Sequence, residues 1–198
     1  MYLEKINSPA DLKKLSIEEM TALAAEMREA LIVRASRHMG HVGPDLGFIE
    51  ATIALHAVFS SPEDKIIYDI SHQTYPHKML TGRREAYTDP AHYDDVSDYS
   101  NPKESPHDFF ELGHTSVSID LALGMAKARD LLGGTEKVVA VIGDGSLSGG
   151  EALEGLNTAG EFKGQFLILV NDNQMSIAEN HGGLYASLKA LRESNGTS

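Results

Sequence analysis

The sequence contains no cysteine among its 198 residues. That excludes a disulfide scaffold, a thiolate metal site and a cysteine nucleophile. Positive charge is scarce as well: 17 Lys and Arg stand against 29 Asp and Glu, a formal net charge of −12. Such an acidic chain makes a poor general partner for nucleic acid or an anionic membrane surface. No apolar run approaches the length of a bilayer span, and the opening MYLEKINSPADLKK lacks the apolar region of a signal peptide. These absences predict a soluble, cytoplasmic globular chain, long enough to bury a core.

The acid is unevenly spread. Residues 89–111 (DPAHYDDVSDYSNPKESPHDFFE) hold seven acids and a single Lys103, a net of −6 and half of the whole excess. This stretch is rich in Pro, Ser, Asn, Asp and Tyr and shows neither helical nor strand periodicity. It predicts a long, solvated surface loop inserted in the domain, with an active-site lid as the sharper alternative.

Helix signals flank it. Ser16 with Glu19 three residues on forms a capping-box pattern, and Ile17, Met20, Leu23, Ala24, Met27, Ala30 and Leu31 follow at helical spacing. Leu46 to Phe59 predicts a more apolar helix, with Pro44 and Asp45 in its first turn and cap. Ser116 to Leu132 predicts a third, stopped by Gly133-Gly134. A fourth is expected from about Gly150 to Phe162, and a short one over Leu184 to Leu191.

Lys65 to Ile70, Val138 to Ile142 and Phe166 to Val170 read as strands. The last two are continuous apolar runs, as suits parallel strands covered on both faces. Residues 138–170 then form a right-handed βαβ unit. The expectation is an α/β, three-layer, mostly parallel sheet with helices on both faces, in one domain spanning 1–198. Three strands make a thin sheet, which points to part of a longer multi-domain chain or a subunit completed by another.

The densest chemical signal is Gly143-Asp144-Gly145-Ser146-Leu147-Ser148-Gly149-Gly150, directly after an apolar strand and opening a helix. No Gly-Lys-Ser/Thr follows, so it is not a P-loop. The spacing G-x-G-x-x-x-G, with the acid inside the turn, is not the dinucleotide fingerprint either. A carboxylate beside an anion-binding strand–helix junction repels phosphate unless a cation lies between them. The next strand ends in Asn171-Asp172-Asn173, so neighbouring strands bring Asp144 and Asn173 within about 5 Å of one site. Such hard oxygen donors, completed by phosphate oxygens, suit Mg²⁺. His41, His72 and His114 sit beside Gly, Ser or Thr in turn-like contexts, where an imidazole can face a pocket and move protons near neutral pH. His56 lies in an apolar helix and reads as a core histidine. His38 and His41 form H-x-x-H without the glutamate of a zinc site.

GDG, then 27 residues, then Asn173 in an NDN context resembles the diphosphate motif of thiamine-diphosphate-dependent enzymes. HVGPDLG (41–47), SHQTYPHK (71–78) with LTGRR (80–84), GHTS (113–116), GDGSLSGGEALEGLNTAG (143–160) and NDNQMSIAEN (171–180) resemble, within the transketolase-like branch, the 1-deoxy-D-xylulose 5-phosphate synthase family. The resemblance implies that Asp144, Asn173 and the backbone carbonyl of Met175 ligate Mg²⁺. It implies that Gly145 and Ser146 touch the diphosphate and that Gly113, His114 and Thr115 line the cofactor. His72 would contact the diphosphate or the bound intermediate, and His41 would face the thiazolium and assist proton transfer. The implied reaction joins decarboxylated pyruvate to the phosphorylated aldose D-glyceraldehyde 3-phosphate, upstream of isoprenoids and thiamine. It also implies a homodimer and a second, pyrimidine-binding domain carrying the activating glutamate, for which no residue here qualifies. Segment 89–111 departs from the family's Trp/Arg-containing stretch. A split transketolase subunit and a non-catalytic cofactor-binding homologue are the alternatives.

Overall fold

The computed structural model describes residues 1–38, 40–173 and 180–194. In chain order the elements are α1 (Pro9–Leu12), α2 (Ile17–Ala35), α3 (Val42–Leu46), α4 (Ile49–Val58), β1 (Lys65–Tyr68), α5 (Tyr75–Lys78) and α6 (Glu85–Thr88). There follow α7 (Ser118–Leu132), β2 (Val138–Gly143), α8 (Asp144–Leu147), α9 (Gly150–Glu161), β3 (Leu167–Asn171) and α10 (Gly183–Ser194).

The strands form one parallel sheet in the order β1-β2-β3. Ile66 pairs with Val139 and Tyr68 with Val141; across the next ladder Val139 pairs with Leu167 and Gly143 with Asn171. Successive residues of a strand face opposite sides, and β2 divides accordingly. Val138, Ala140 and Ile142 pack with Ile119, Ala122 and Ala126 of α7 on one face. Val139 and Val141 pack with Phe48 and Leu55 on the other. The expectation of a strand covered on both faces holds for β2; β3 is a strand at the sheet edge, with Leu167 and Val170 exposed, so its apolar run is not covered on both faces. Among the described residues no helix is long and apolar enough to cross a membrane.

Helix α2 starts as its sequence dictates. Ser16 Oγ accepts the Glu19 amide at 3.2 Å, and the Ser16 amide donates to Glu19 Oε2 at 2.8 Å. Leu23, Met27 and Leu31 follow on the buried face. Arg34 extends that face, with its guanidinium 5.1, 5.1 and 5.5 Å from the rings of Tyr75, Tyr87 and Tyr93. At the other end of the chain order, α7 stops at Gly133 in the left-handed conformation (φ 71°).

Two expectations are corrected. The single helix over 46–59 is divided into α3 and α4 at Gly47-Phe48. Asp45 does not cap it from solvent; it is buried, and its Oδ1 accepts the Tyr75 amide at 2.8 Å. Burial pushes that carboxyl well above its ordinary range.

Segment 89–111 is not simply a solvated loop. Apart from a 3₁₀ turn at Pro90–His92 it lacks regular structure, but Tyr93, Ser100, Ser105 and Asp108 are buried. Its Asp98, Glu104 and Asp108 bond side chains elsewhere in the chain. Glu104 pairs with Lys78 at 2.8 Å and with Arg83 at 3.3 Å. Asp98 accepts from the Tyr75 hydroxyl at 2.6 Å. Asp108 is gripped by Arg83 and faces His77 Nε2 at 3.0 Å. Composition marks a segment as charged; it does not reveal that a buried cation elsewhere in the chain neutralises it.

Candidate functional site

The three parallel strands bring their carboxyl ends to one edge of the sheet, where a parallel sheet usually has its ligand crevice. The β2–β3 register sets Gly143 against Asn171. Asp144 and Asp172, each one residue further along, therefore face each other. Burial, then the neighbouring Asp172 carboxylate, hold the Asp144 carboxyl above its ordinary range. The glycine-rich junction is not a fully extended loop: Asp144–Leu147 winds into the short turn α8 before α9 begins.

Helix α10 approaches the same strand ends. Asn180 Nδ2 donates to Asp144 Oδ2 at 2.7 Å, and the Tyr185 hydroxyl donates to the Asp144 carbonyl at 3.1 Å. Arg192 pairs with Asp172. Asn173 is exposed just beyond β3, and Met175 lies outside the described residues.

The donor chemistry fits a hard divalent cation. The Asp144 and Asp172 carboxylates face each other, which favours a positive charge between them, and the Asn180 carboxamide stands beside Asp144. Among the described residues no group of three or more His, Cys, Asp or Glu side chains could hold a metal ion. The candidate set, with one carboxylate, one amide and one carbonyl, is of a different kind.

The end of β1 supplies the other wall. His72 and His41 are brought together, their rings edge to face with centroids 6.1 Å apart. Burial, then the charge of His41, lower the His72 pKa, so the ring is held neutral. Its Nδ1 is buried with no hydrogen-bond partner among the described residues, an unsatisfied polar atom of the kind a ligand can engage. His41 is exposed, as are Gly113, His114 and Thr115. The His114 ring turns back, Nδ1 bonding the Thr115 carbonyl at 2.7 Å.

Asp69 and the serines of the SHQTYPHK and GHTS blocks tie these segments together. Asp69 accepts the amides of Ser116, Val117 and Ser118, each at 2.9 Å. Ser71 Oγ donates to the Leu112 carbonyl at 3.0 Å and accepts the Ser100 amide at 2.9 Å. Ser116 Oγ donates to the Ser146 carbonyl at 2.7 Å. Ser146 itself is buried and Gly145 half-buried. A Cβ on Gly149 would stand 1.9 Å from Ser116 Oγ, so this glycine permits the close approach.

A second cluster lies deeper. His56 Nε2 and His77 Nδ1 share a hydrogen bond at 2.9 Å, and His77 continues to Asp108. His56 is the core histidine expected, although its Nδ1 has no partner among the described residues. Sequence spacing pointed to neither His77, Asp108, Asp69 nor Ser71. Only SHQTYPHK and LTGRR, as blocks, marked the neighbourhood.

The chain matches the 1-deoxy-D-xylulose-5-phosphate synthase family over residues 3–198. It is 52% identical over 182 residues to 1-deoxy-D-xylulose-5-phosphate synthase 2 of Geobacter sulfurreducens, covering 92% of this chain and 29% of that protein. It is also 52% identical over 190 residues to the 1-deoxy-D-xylulose-5-phosphate synthase of Carboxydothermus hydrogenoformans, covering 96% of this chain and 30% of the relative. The synthase 1 of Geobacter metallireducens is 53% identical over 182 residues, again 92% of this chain and 29% of that protein. The chain thus spans about three tenths of the length of these relatives. A match over nearly its whole length makes this chain a member of the 1-deoxy-D-xylulose-5-phosphate synthase family.

Proposed function

We propose that the full-length protein is a thiamine-diphosphate-dependent transferase. It condenses pyruvate, with loss of CO₂, and D-glyceraldehyde 3-phosphate to 1-deoxy-D-xylulose 5-phosphate. This chain supplies the half of the site that holds the diphosphate, and a pyrimidine-binding domain completes it. The protein acts in the cytoplasm as a homodimer. The observation that carries the reading is the meeting of Asp144 with Asp172 at adjacent strand ends, with Asn173 next along the chain and the His41–His72 ring pair as a second cluster.

In this reading Asp144, Asn173 and the Met175 carbonyl hold Mg²⁺. The Asn180 amide now on Asp144 Oδ2 exchanges for the cation. Gly145 and Ser146 contact the diphosphate, and Gly113, His114 and Thr115 line the cofactor. When bound, thiamine diphosphate supplies a stabilised carbanion, which amino-acid side chains cannot. The residues of this chain manage the protons. His72, kept neutral by burial, accepts a hydrogen bond or proton at its free Nδ1. His41, on the open side, exchanges protons with solvent and substrate oxygens.

Calorimetry on the full-length protein tests the binding half. Thiamine diphosphate binds in the presence of Mg²⁺, EDTA abolishes the heat, and Asp144→Ala loses it. Unchanged affinity in that variant overturns the metal assignment. Release of CO₂ from pyruvate, with 1-deoxy-D-xylulose 5-phosphate formed when the aldose phosphate is added, tests the chemistry. A ketose phosphate donor working in place of pyruvate overturns it in favour of transketolase-type transfer.

A further inference from the structure

Three stretches assigned to the cofactor come from separate parts of the chain: His72, Gly113–Thr115 and Gly145–Ser146. One short turn after β1 joins all three. The Asp69 carboxylate takes three consecutive amides at the far end of the 113–115 loop, and Ser71 Oγ fixes the carbonyl of Leu112 at its near end. The loop is therefore clamped on both sides by residues two apart. Ser116, held by Asp69, passes the constraint to the Ser146 carbonyl. Ser71 immediately precedes His72 along the chain.

The turn is strained. Ile70 and Ser71 lie in the left-handed region, at φ 57° and 69°. A β-branched residue such as Ile is seldom found there, and glycine would adopt the Ser71 conformation without penalty. Strain of this kind persists where the surroundings over-determine it. What serine has and glycine lacks is the hydroxyl, and here both of its hydrogen bonds go to the segment that carries the cofactor loop. Asp69 and Ser71 are both essentially inaccessible, at 1% and 0% exposure, so neither reaches a ligand in the crevice. Their effect on the site runs through the loop they hold.

We propose that Asp69 and Ser71 are positioning residues. The strained turn sets Gly113–Thr115 against His72 and Ser146, and through that placement it sets the affinity for the diphosphate cofactor. The proposal rests on the reading of this crevice as the thiamine-diphosphate site.

The test uses Ser71→Ala and Ser71→Gly in the full-length protein. Cofactor affinity is measured by calorimetry at saturating Mg²⁺, and melting temperature is measured without cofactor. Both variants lose the two hydrogen bonds, so both bind thiamine diphosphate about tenfold more weakly than wild type. Their stabilities separate: Ser71→Gly melts above Ser71→Ala because glycine relieves the backbone. Asp69→Asn, which keeps the shape but not the charge, weakens binding too. Thr52→Ala serves as the control. Its buried hydroxyl bonds the Phe48 carbonyl at 2.8 Å, away from the crevice. That variant lowers the melting temperature and leaves cofactor affinity at the wild-type value. Wild-type affinity in Ser71→Gly, or equal weakening in Thr52→Ala, overturns the positioning role. Wild-type protein that binds no thiamine diphosphate overturns the reading of the crevice, and the proposal with it.

Discussion

Arg83 grips Asp108 through two parallel hydrogen bonds, Nη1 to Oδ2 at 2.7 Å and Nη2 to Oδ1 at 2.9 Å. The Asp108 side chain is fully buried, and it also faces His77 and accepts the Asn101 amide at 2.8 Å. One carboxylate thus ties the LTGRR block, the SHQTYPHK block and the acidic segment together. The segment it closes leads straight into Gly113–Thr115. These partners hold the Asp108 carboxyl below the ordinary carboxylate range despite its burial.

Arg83→Met should destabilise the fold by about 3–5 kcal/mol, because it leaves a buried carboxylate without its cation. Arg83→Lys should not restore it, since an ammonium cannot reproduce the two-pronged geometry. Arg83→Met combined with Asp108→Leu should recover part of the loss. Urea denaturation measures all three. A double variant no more stable than the single would show that the unpaired charge is not the cause.

Acidification should weaken the fold through its buried histidines, against a smaller opposing contribution from Asp45, whose raised pKa favours the folded state as the pH falls. Burial lowers the pKa values of His56, His77 and His107, the last to about 4. His107 is faced by His77, Arg83, Asp108 and Glu63, and its Nδ1 bonds Ser61 Oγ at 2.9 Å. The unfolded chain takes up these protons near pH 6.5 and the folded chain does not. Their contribution is therefore complete above about pH 6.5 and falls away as the pH drops toward 4. Asp108 adds a loss below about pH 4, where its unfolded form protonates first. Melting temperature should decline between pH 7 and 5, and His107→Gln should flatten that slope. A flat profile in the wild type would contradict the assignment.

Gly149 and Gly124 should respond oppositely to alanine. At Gly149 the new methyl meets Ser116 Oγ at 1.9 Å and Ser116 Cβ at 2.5 Å, so Gly149→Ala should cost about 1–3 kcal/mol. Gly124 lies within α7 with nothing inside 4 Å of an added Cβ, so Gly124→Ala should stabilise by up to about 1 kcal/mol. Thermal denaturation of the two variants gives the sign directly.

The α2 cap is a local test of the fold. Ser16→Ala removes the acceptor for the Glu19 amide and should cost about 1 kcal/mol, while Ser16→Asp should retain most of the stability. Equal losses in both variants would argue against capping as the source.

Much was legible because it is governed by near neighbours. The Ser16–Glu19 box, the Gly133 stop and the apolar runs of β2 and β3 operate over a few residues, and each stands where the sequence placed it. The pairing of Asp144 with the end of β3 also followed, because a βαβ unit leaves parallel neighbours their carboxyl ends in common. The division of the 46–59 helix did not follow, since it depends on Asp45 reaching Tyr75 thirty residues away. The acidic segment was misjudged for the same reason.

The sequence by itself determined an α/β chain of this family with a carboxylate and an amide at adjoining strand ends, because strand–turn–helix chemistry is written in consecutive residues. Only the tertiary structure decided that Asp108 belongs to Arg83, that Asp69 and Ser71 clamp the loop before α7, and that the segment holding half of the net charge is partly buried against cations. A hydrogen bond or ion pair between residues 25 or 47 positions apart leaves no period in the chain. It exists only once the fold has brought the two groups out of water and within reach of each other.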